Sequence, residues 1–320
     1  MNNLQLTALF LLANQNISQH DGSWLQFDGE NTLRVLELQD TKIKKLPDEV
    51  GSLIHLTFLG LKSTDINELP EGLGRLEALQ TLDIRWCGDL TGLSAEILNL
   101  VRLRHLKMFK NKCISGMKLP AGIGRLTDLL TLTGIHAGGG TAAEVGNLTG
   151  LRRLGVMDVD EENVIELFAS IMKMQGLLSL CLEAKHTFPQ GQLILLESFS
   201  PPPFLQKLHL KGILEKPPAW FGSLERLTNL RLGFSHLSEN PSLVLQVLPN
   251  LKNLTLWQAY DAKQIGKEFC STGGFSKLEV LIIASRVLEE LTELEEGALP
   301  SLKSAIPHHT EAVAFAASAG

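Results

Sequence analysis

This 320-residue sequence lacks a basic excess, paired cysteines, long apolar runs and catalytic signatures, and each absence removes a class of function. Lysine and arginine number 29 against 35 aspartate and glutamate, a net charge of −6, so nothing suggests a nucleic-acid binder. The four cysteines, Cys87, Cys113, Cys181 and Cys270, are scattered and form no Cys-x-x-Cys or flanking pair, which favours a reducing compartment. No stretch approaches the ~20 apolar residues that span a bilayer. Gly266-Lys267 runs into Glu268 without the upstream glycine of a phosphate loop, and Gly138-Gly139-Gly140 runs into Thr141 without a lysine. There is no GxSxG, HExxH or kinase set, and His308-His309 have no partner at ligand spacing. Enzymatic activity, a cofactor, a metal and a small-molecule substrate are therefore not expected. Aromatic residues make up 6% with a single tyrosine, so leucine has to fill the interior.

What is present is a repeat. LRVLELQDTKIKKLPDEVGSLIH, starting at Leu33, is followed without a gap by LTFLGLKSTDINELPEGLGRLEA, starting at Leu56. The two 23-residue blocks match at Leu36/Leu59, Leu38/Leu61, Thr41/Thr64, Ile43/Ile66, Pro47/Pro70, Gly51/Gly74 and Leu53/Leu76. Leu36 and Leu38 lie on one side of an extended segment with Glu37 on the other, whereas Pro47 interrupts regular structure and Gly51 lets the chain bend. Each block is thus one strand plus one return, a coil of a right-handed solenoid. This pattern resembles the leucine-rich repeat superfamily. That resemblance implies an α/β solenoid with a parallel sheet on the concave face and irregular turns and short helices on the convex face.

Further coils start at Leu79, Leu103, Leu129, Leu151, Leu177, Leu205, Leu227, Leu251 and Leu278, with a ragged last one near Leu302. Leu6, Leu9 and Leu11 fit a degenerate first coil, followed by a polar excursion over residues 14–28 that contains Trp24. The expected organisation is one repeat domain over residues 1–304 and a disordered tail over 305–320. DEENVIELFASIMKMQ, residues 160–175, places Val164, Leu167, Phe168, Ile171 and Met172 at helical spacing behind acidic residues, which predicts a two-to-three-turn convex helix. The acidic run at 289–296 reads as a solvated return. Three residues past the second strand leucine, where the superfamily carries Asn or Cys bonded to a neighbouring coil, only Thr41, Thr64, Cys87, Asn111 and Ser235 suit that role.

With no catalytic set, function falls to the outward strand positions. Three columns emerge across the coils, and two clusters within them combine basic and aromatic residues. The first is Arg85, Trp86, Lys107, Phe109 and Lys110; the second is His209, Lys211, Arg231, Phe234 and Trp257, with Met157 between. Exposed aromatic and basic residues on a rigid sheet match the composition of binding hot spots. The expected ligand is a protein carrying acidic groups.

The later coils narrow the resemblance. SPPPFLQKLHLKGILEKPPAWFGSLERLTNLRL (200–232), LPNLKNLTLWQAYDAKQIGKEFCSTGGFSKLEVLII (248–283) and LEELTELEEGALPSLK (288–303) are similar to the C-terminal repeats of plant intracellular disease-resistance receptors of the coiled-coil nucleotide-binding class. That resemblance implies a cytoplasmic recognition module. Its partner would be a pathogen effector, a guarded host protein or the receptor's own nucleotide-binding domain. No counterpart of the nucleotide-binding switch is found in the sequence, so ATP binding and cell-death signalling are not expected of it. A Ras-binding type of cytosolic repeat scaffold fits the regular coils over 33–102 equally well and is the alternative. A secreted inhibitor of wall-degrading enzymes fits less well, because the cysteine caps and the IPxxLG pattern are missing.

Overall fold

The structure is a computed structural model and describes residues 7–10, 32–87, 90, 92–109, 115–186, 191–292 and 295–308. The chain divides into two compact units, Met1–Leu177 and Leu178–Gly320.

In the first unit every coil start predicted from leucine spacing lies two residues before a strand. The strands are β1 (Ala8–Phe10), β2 (Val35–Glu37), β3 (Phe58–Gly60), β4 (Thr81–Arg85), β5 (His105–Phe109), β6 (Thr131–His136) and β7 (Arg153–Val159), each parallel to the next. In register, Leu36 pairs with Leu59, Leu59 with Leu82 and Leu82 with Leu106. These leucines are fully buried, as are Leu38 and Leu61 one side-chain period further on. Residues 8–10 are a strand, with Leu9 opposite Leu36. The excursion with Trp24 lies outside the described residues, as do Asn111 and Cys113.

The returns after β2, β3, β4 and β5 carry short 3-10 turns. Pro47 and Pro70, at φ −71, stand directly before the turns Asp48–Ser52 and Glu71–Arg75, where a missing N–H costs nothing. The reason for Gly51 differs from the expected bend: a Cβ there would run into the backbone carbonyl of Gly72 in the next return, so glycine lets the returns stack. Among the described residues of this unit the α-helices are α1 (Thr141–Glu144) and α2 (Val164–Ile171). Helix α2 is the predicted one, two turns long, with Val164, Leu167, Phe168 and Ile171 buried; Met172, expected on the same face, is 38% exposed just past its end.

In the second unit the main sheet runs β8 (Ser179–Ala184), β9 (Lys207–Lys211), β10 (Asn229–Gly233), β11 (Asn253–Trp257), β13 (Val280–Ala284) and β15 (Ser304–His308), all parallel. The helix α3 (Ser242–Leu245) lies in one return. Two longer returns meet in a small second sheet of β12 (Gln264–Ile265) and β14 (Glu290–Leu291), so part of the acidic run is ordered by strand pairing. Strand β15 carries the repeat past the expected boundary at 304 to His308; residues 309–320 lie outside the described residues.

The polar ladder differs from expectation in its partners. Thr41 Oγ1 and Thr64 Oγ1 donate back to Leu38 and Leu61 in their own coils, at 2.7 and 2.8 Å. Cys87 Sγ does reach the neighbouring coil, 3.0 Å from the Leu61 carbonyl. Ser235 is completely buried and its Oγ finds no hydrogen-bond partner among the described residues, so its side chain takes no part in a ladder.

Candidate functional site

Because alternate strand residues point away from the leucine core, the residues between the leucines form an open face. In the first unit its first column, taken across the strands, is Glu37, Gly60, Asp83, Lys107 and Thr133. Asp83 is the organising group and is only 5% exposed. It accepts from Arg85, two residues along its own strand, through Nε at 2.9 Å and Nη2 at 2.7 Å. Lys107, its register partner on β5, brings Nζ to 4.0 Å. The hydrogen bond from Arg85 to Asp83 pushes the guanidinium pKa up against the opposing effect of burial. The Glu37 carboxyl lies over Gly60, in the space a side chain there would take. Burial raises its pKa, and the charges of Asp83 and Asp40 act in the same direction.

The third sequence column is a turn. Asp40, Ser63, Trp86, Asp158, Phe234 and Gln258, each two residues past the second core position, have φ between 48 and 61. Asp and Ser tolerate this left-handed conformation, whereas Trp86 and Phe234 hold it as bulky side chains, at a cost of roughly 1–2 kcal/mol each. The Trp86 N–H donates to the Phe109 carbonyl of the next strand, and the Lys62 ammonium lies 4.9 Å from the Trp86 ring centroid. Phe109 is half-buried opposite Arg85. Lys110 lies outside the described residues.

At β6 the alternation breaks. Gly134 has φ 78 and the register shifts between Thr133 and Ile135, a bulge that inserts one residue. Ile135 therefore enters the core at 0% exposure, and His136 comes into register with Met157. Met157 is corrected in turn: it is 5% exposed and offers no free surface. His136 stands opposite it, and the next residue, Asp158, clamps a return against it. Asp158 Oδ2 accepts from Ser115 Oγ at 2.7 Å and from the Gly116 N–H at 2.7 Å, and His136 Nδ1 lies 2.6 Å away. Burial alone would raise the Asp158 pKa; these bonds overcome it and hold the carboxyl below its ordinary value. Serine, histidine and aspartate meet here, yet the Ser115 hydroxyl donates to the acid and not to the imidazole. Among the described residues the hydroxyl's hydrogen bond goes to the carboxylate alone, and the geometry is that of a clamp.

In the second unit the first column is Cys181, His209, Arg231, Thr255 and Ile282. The neighbouring column starts with Glu183 and Lys211 and reaches Trp257 on β11. Glu183, 5% exposed, takes the part that Asp83 has in the first unit, and Lys211 Nζ lies 2.9 Å from its Oε2. Cys181 Sγ lies 3.3 Å from His209 Nδ1. Burial, together with the charges of Arg231 and Lys211, pushes the His209 pKa down to about 3, so the ring is neutral. Burial pushes the Cys181 thiol pKa up, which keeps it protonated and unreactive. Arg231 is exposed, and Phe234 and Trp257 are half-buried, joined by the bond from the Phe234 N–H to the Trp257 carbonyl at 2.7 Å.

The structure thus brings together Arg85 with Lys107, and His209 with Lys211, beside acids that a choice of basic and aromatic residues leaves out. The readable signal was spacing: Asp83 sits on the same strand face as Arg85, and Glu183 on that of Cys181. Among the described residues no helix is long and apolar enough to cross a membrane. Cys87, Cys181 and Cys270 are free thiols.

Residues 15–314 match the family described as Leucine-rich repeat region. The chain belongs to that family. It is 30% identical over 283 residues to disease resistance protein RPM1 of Arabidopsis thaliana, covering 85% of this chain and 30% of RPM1. It is 26% identical over 300 residues to disease resistance RPP8-like protein 3 of the same plant, covering 90% of this chain and 32% of that protein. The repeat region therefore spans about a third of the length of these relatives. Among solved structures, an internalin, inlF, from Listeria monocytogenes superposes with a TM-score of 0.54 at 18% identity, over 86% of this chain and 80% of that one. The plant peptide hormone receptor RGFR1, solved in complex with RGF2, gives 0.52 at 21% identity, over 87% of this chain and 46% of that one. These likenesses show the fold.

Proposed function

We propose that this repeat region is the recognition module of a plant disease-resistance receptor, acting in the cytoplasm and binding a protein partner on the concave strand face. The observation that carries this reading is the arrangement on that face. Two buried acids, Asp83 and Glu183, hold half-buried cations in fixed geometry, beside aromatic residues whose backbone is strained. Strained, pre-positioned side chains cluster where a protein makes contacts, because binding then costs less ordering. Disease-resistance relatives supply the setting, with a pathogen effector, a guarded host protein or a nucleotide-binding domain as partner. Membrane and nucleic acid are not partners in this reading.

The test is affinity capture from plant leaf extract with quantitative mass spectrometry. It compares the unaltered chain with a triple variant, Lys107→Glu, Lys211→Glu and Arg231→Glu, and with a return-side control, Ile165→Glu. Ile165 is 69% exposed and lies on α2, away from the strand face. The expected result is a set of proteins retained by the unaltered chain and the control but lost by the triple variant. Identical sets from all three would remove the strand face from consideration.

A further inference from the structure

The second unit carries a group of side chains that protein recognition does not require. Cys181, Glu183 and His209 place one ligand atom each within 4.8 Å of one another. We propose that these three residues form a binding site for a divalent cation of borderline softness, with zinc as the ion their donor set selects.

Strand register places the three ligands together. Cys181 and His209 are direct partners on the hydrogen-bonded strands β8 and β9, and Glu183 follows Cys181 by one side-chain period on the same face. Both strands carry buried leucines at the alternate positions, Leu180, Leu182, Leu208 and Leu210, which fixes the backbone beneath the three ligands. The spacing suits tetrahedral coordination. Zinc–sulfur bonds of ~2.3 Å and zinc–nitrogen bonds of ~2.0–2.1 Å at a tetrahedral angle separate the two donors by about 3.5 Å. Cys181 Sγ and His209 Nδ1 are 3.3 Å apart, so an ion requires only a small opening of this pair.

Donor chemistry points the same way. One thiolate, one imidazole and one carboxylate are each ordinary zinc ligands, and sulfur with nitrogen disfavours magnesium and calcium, which take oxygen. With the thiol proton released to bulk water, the two anionic ligands balance the charge of the ion. Three protein ligands leave a fourth position to water on the open side of the sheet.

Two features oppose binding: burial favours the protonated Cys181 thiol, whose proton the ion has to drive off, and cations already stand beside the ligands. Lys211 Nζ already lies 2.9 Å from Glu183 Oε2, and Arg231 stands beside His209 in the same column. The divalent ion has to displace the Lys211 ammonium, whose flexible stem allows it to turn toward solvent. Glu183→Gln removes that competitor's partner and the third ligand together, so Lys211→Met is the sharper probe. It leaves all three ligands in place and is expected to tighten zinc binding.

The experiment uses the full chain, stripped with a chelator. It is titrated with zinc against a chromophoric competitor, and separately with cobalt while the absorption spectrum is recorded. One equivalent is expected, with intense visible cobalt bands of tetrahedral type and a thiolate-to-cobalt charge-transfer band. Cys181→Ala and His209→Gln are each expected to weaken zinc by at least ~100-fold, the upper end of what loss of an outer-shell partner alone costs. Cys181→Ser, which keeps the side-chain volume, stands in if Cys181→Ala fails to fold. Cys270→Ala is expected to change nothing. Absence of a stoichiometric site, zinc affinity retained in Cys181→Ser and His209→Gln, or a cobalt spectrum without a sulfur band would overturn the assignment.

Discussion

The open faces of the two units solve one problem in two ways. In the first, Asp83 is gripped by a bidentate guanidinium from its own strand and approached by Lys107 from the next. In the second, Glu183 receives Lys211, and the column beside it holds a neutral imidazole against a thiol. The core positions beneath are apolar and buried at both places, Leu82, Ile84, Leu106 and Met108 in the first and Leu180, Leu182, Leu208 and Leu210 in the second, so the charge chemistry differs only through the alternate residues. The repeat fixes where a side chain stands, and the residue at that position decides whether it becomes an ion pair, a soft donor or an aromatic contact.

The largest expected effect separates the two acids. Asp83→Ala leaves Arg85 and Lys107 half-buried without their shared acid, a loss of about 3 kcal/mol, at the lower end for a broken buried pair because both cations retain some solvent. Glu183→Ala leaves Lys211 as the cation without its acid, and roughly 2 kcal/mol is expected. Denaturant unfolding of both variants checks this, and equal losses would erase the contrast.

Acid should weaken the two faces in different windows. His209 has a folded pKa of about 3 against 6.5 for the free side chain. The fold therefore favours its neutral form, and this contribution is complete above pH 6.5 and lost as pH falls toward 3. Asp158 is held below its ordinary 3.8, so its contribution is complete above that value and is lost as pH drops through the lower one. Hydrogen exchange corrected for intrinsic rate should show β9 loosening before β7 on acidification. In His209→Gln the earlier phase should disappear. A common onset in both strands would contradict the assignment of these groups.

Trp86 sharpens the comparison at the smallest scale. Trp86→Asn relieves a left-handed penalty of roughly 1–2 kcal/mol and gives up a cation–π contact of ~0.5–1 kcal/mol. Stability by thermal melting should change by about 1 kcal/mol or less, while partner capture falls. A large loss of stability with capture intact would make Trp86 a structural residue.

How far these features were legible beforehand depends on the range of the signal. Leucine spacing located every described strand except β12 and β14, because burial at period two leaves one solution. The helix α2 was legible for the same reason, from Val164, Leu167, Phe168 and Ile171 at period 3.6. A glycine inside a strand pattern is the usual mark of a bulge, but leucine spacing alone does not register it, and the bulge at Gly134 is what puts Ile135 in the core and His136 opposite Met157. The left-handed turns were hidden because Trp86 and Phe234 occupy positions that turn chemistry assigns to Asp, Asn or Gly. The acid–cation pairs depend on distances between strands, which leucine spacing constrains only through register. Selecting basic and aromatic residues alone therefore found the cations without the acids that hold them.

Acid–cation pairs set by strand geometry organise the open face. A double-mutant cycle on Asp83 and Arg85, using Asp83→Ala, Arg85→Ala and the double variant in denaturant unfolding, tests this most directly. A coupling of about 1.5 kcal/mol or more, well within the range for contacting charged residues, is predicted. A coupling below about 0.5 kcal/mol, the level of independent sites, would mean that the pair leaves Arg85 unorganised and would contradict the account.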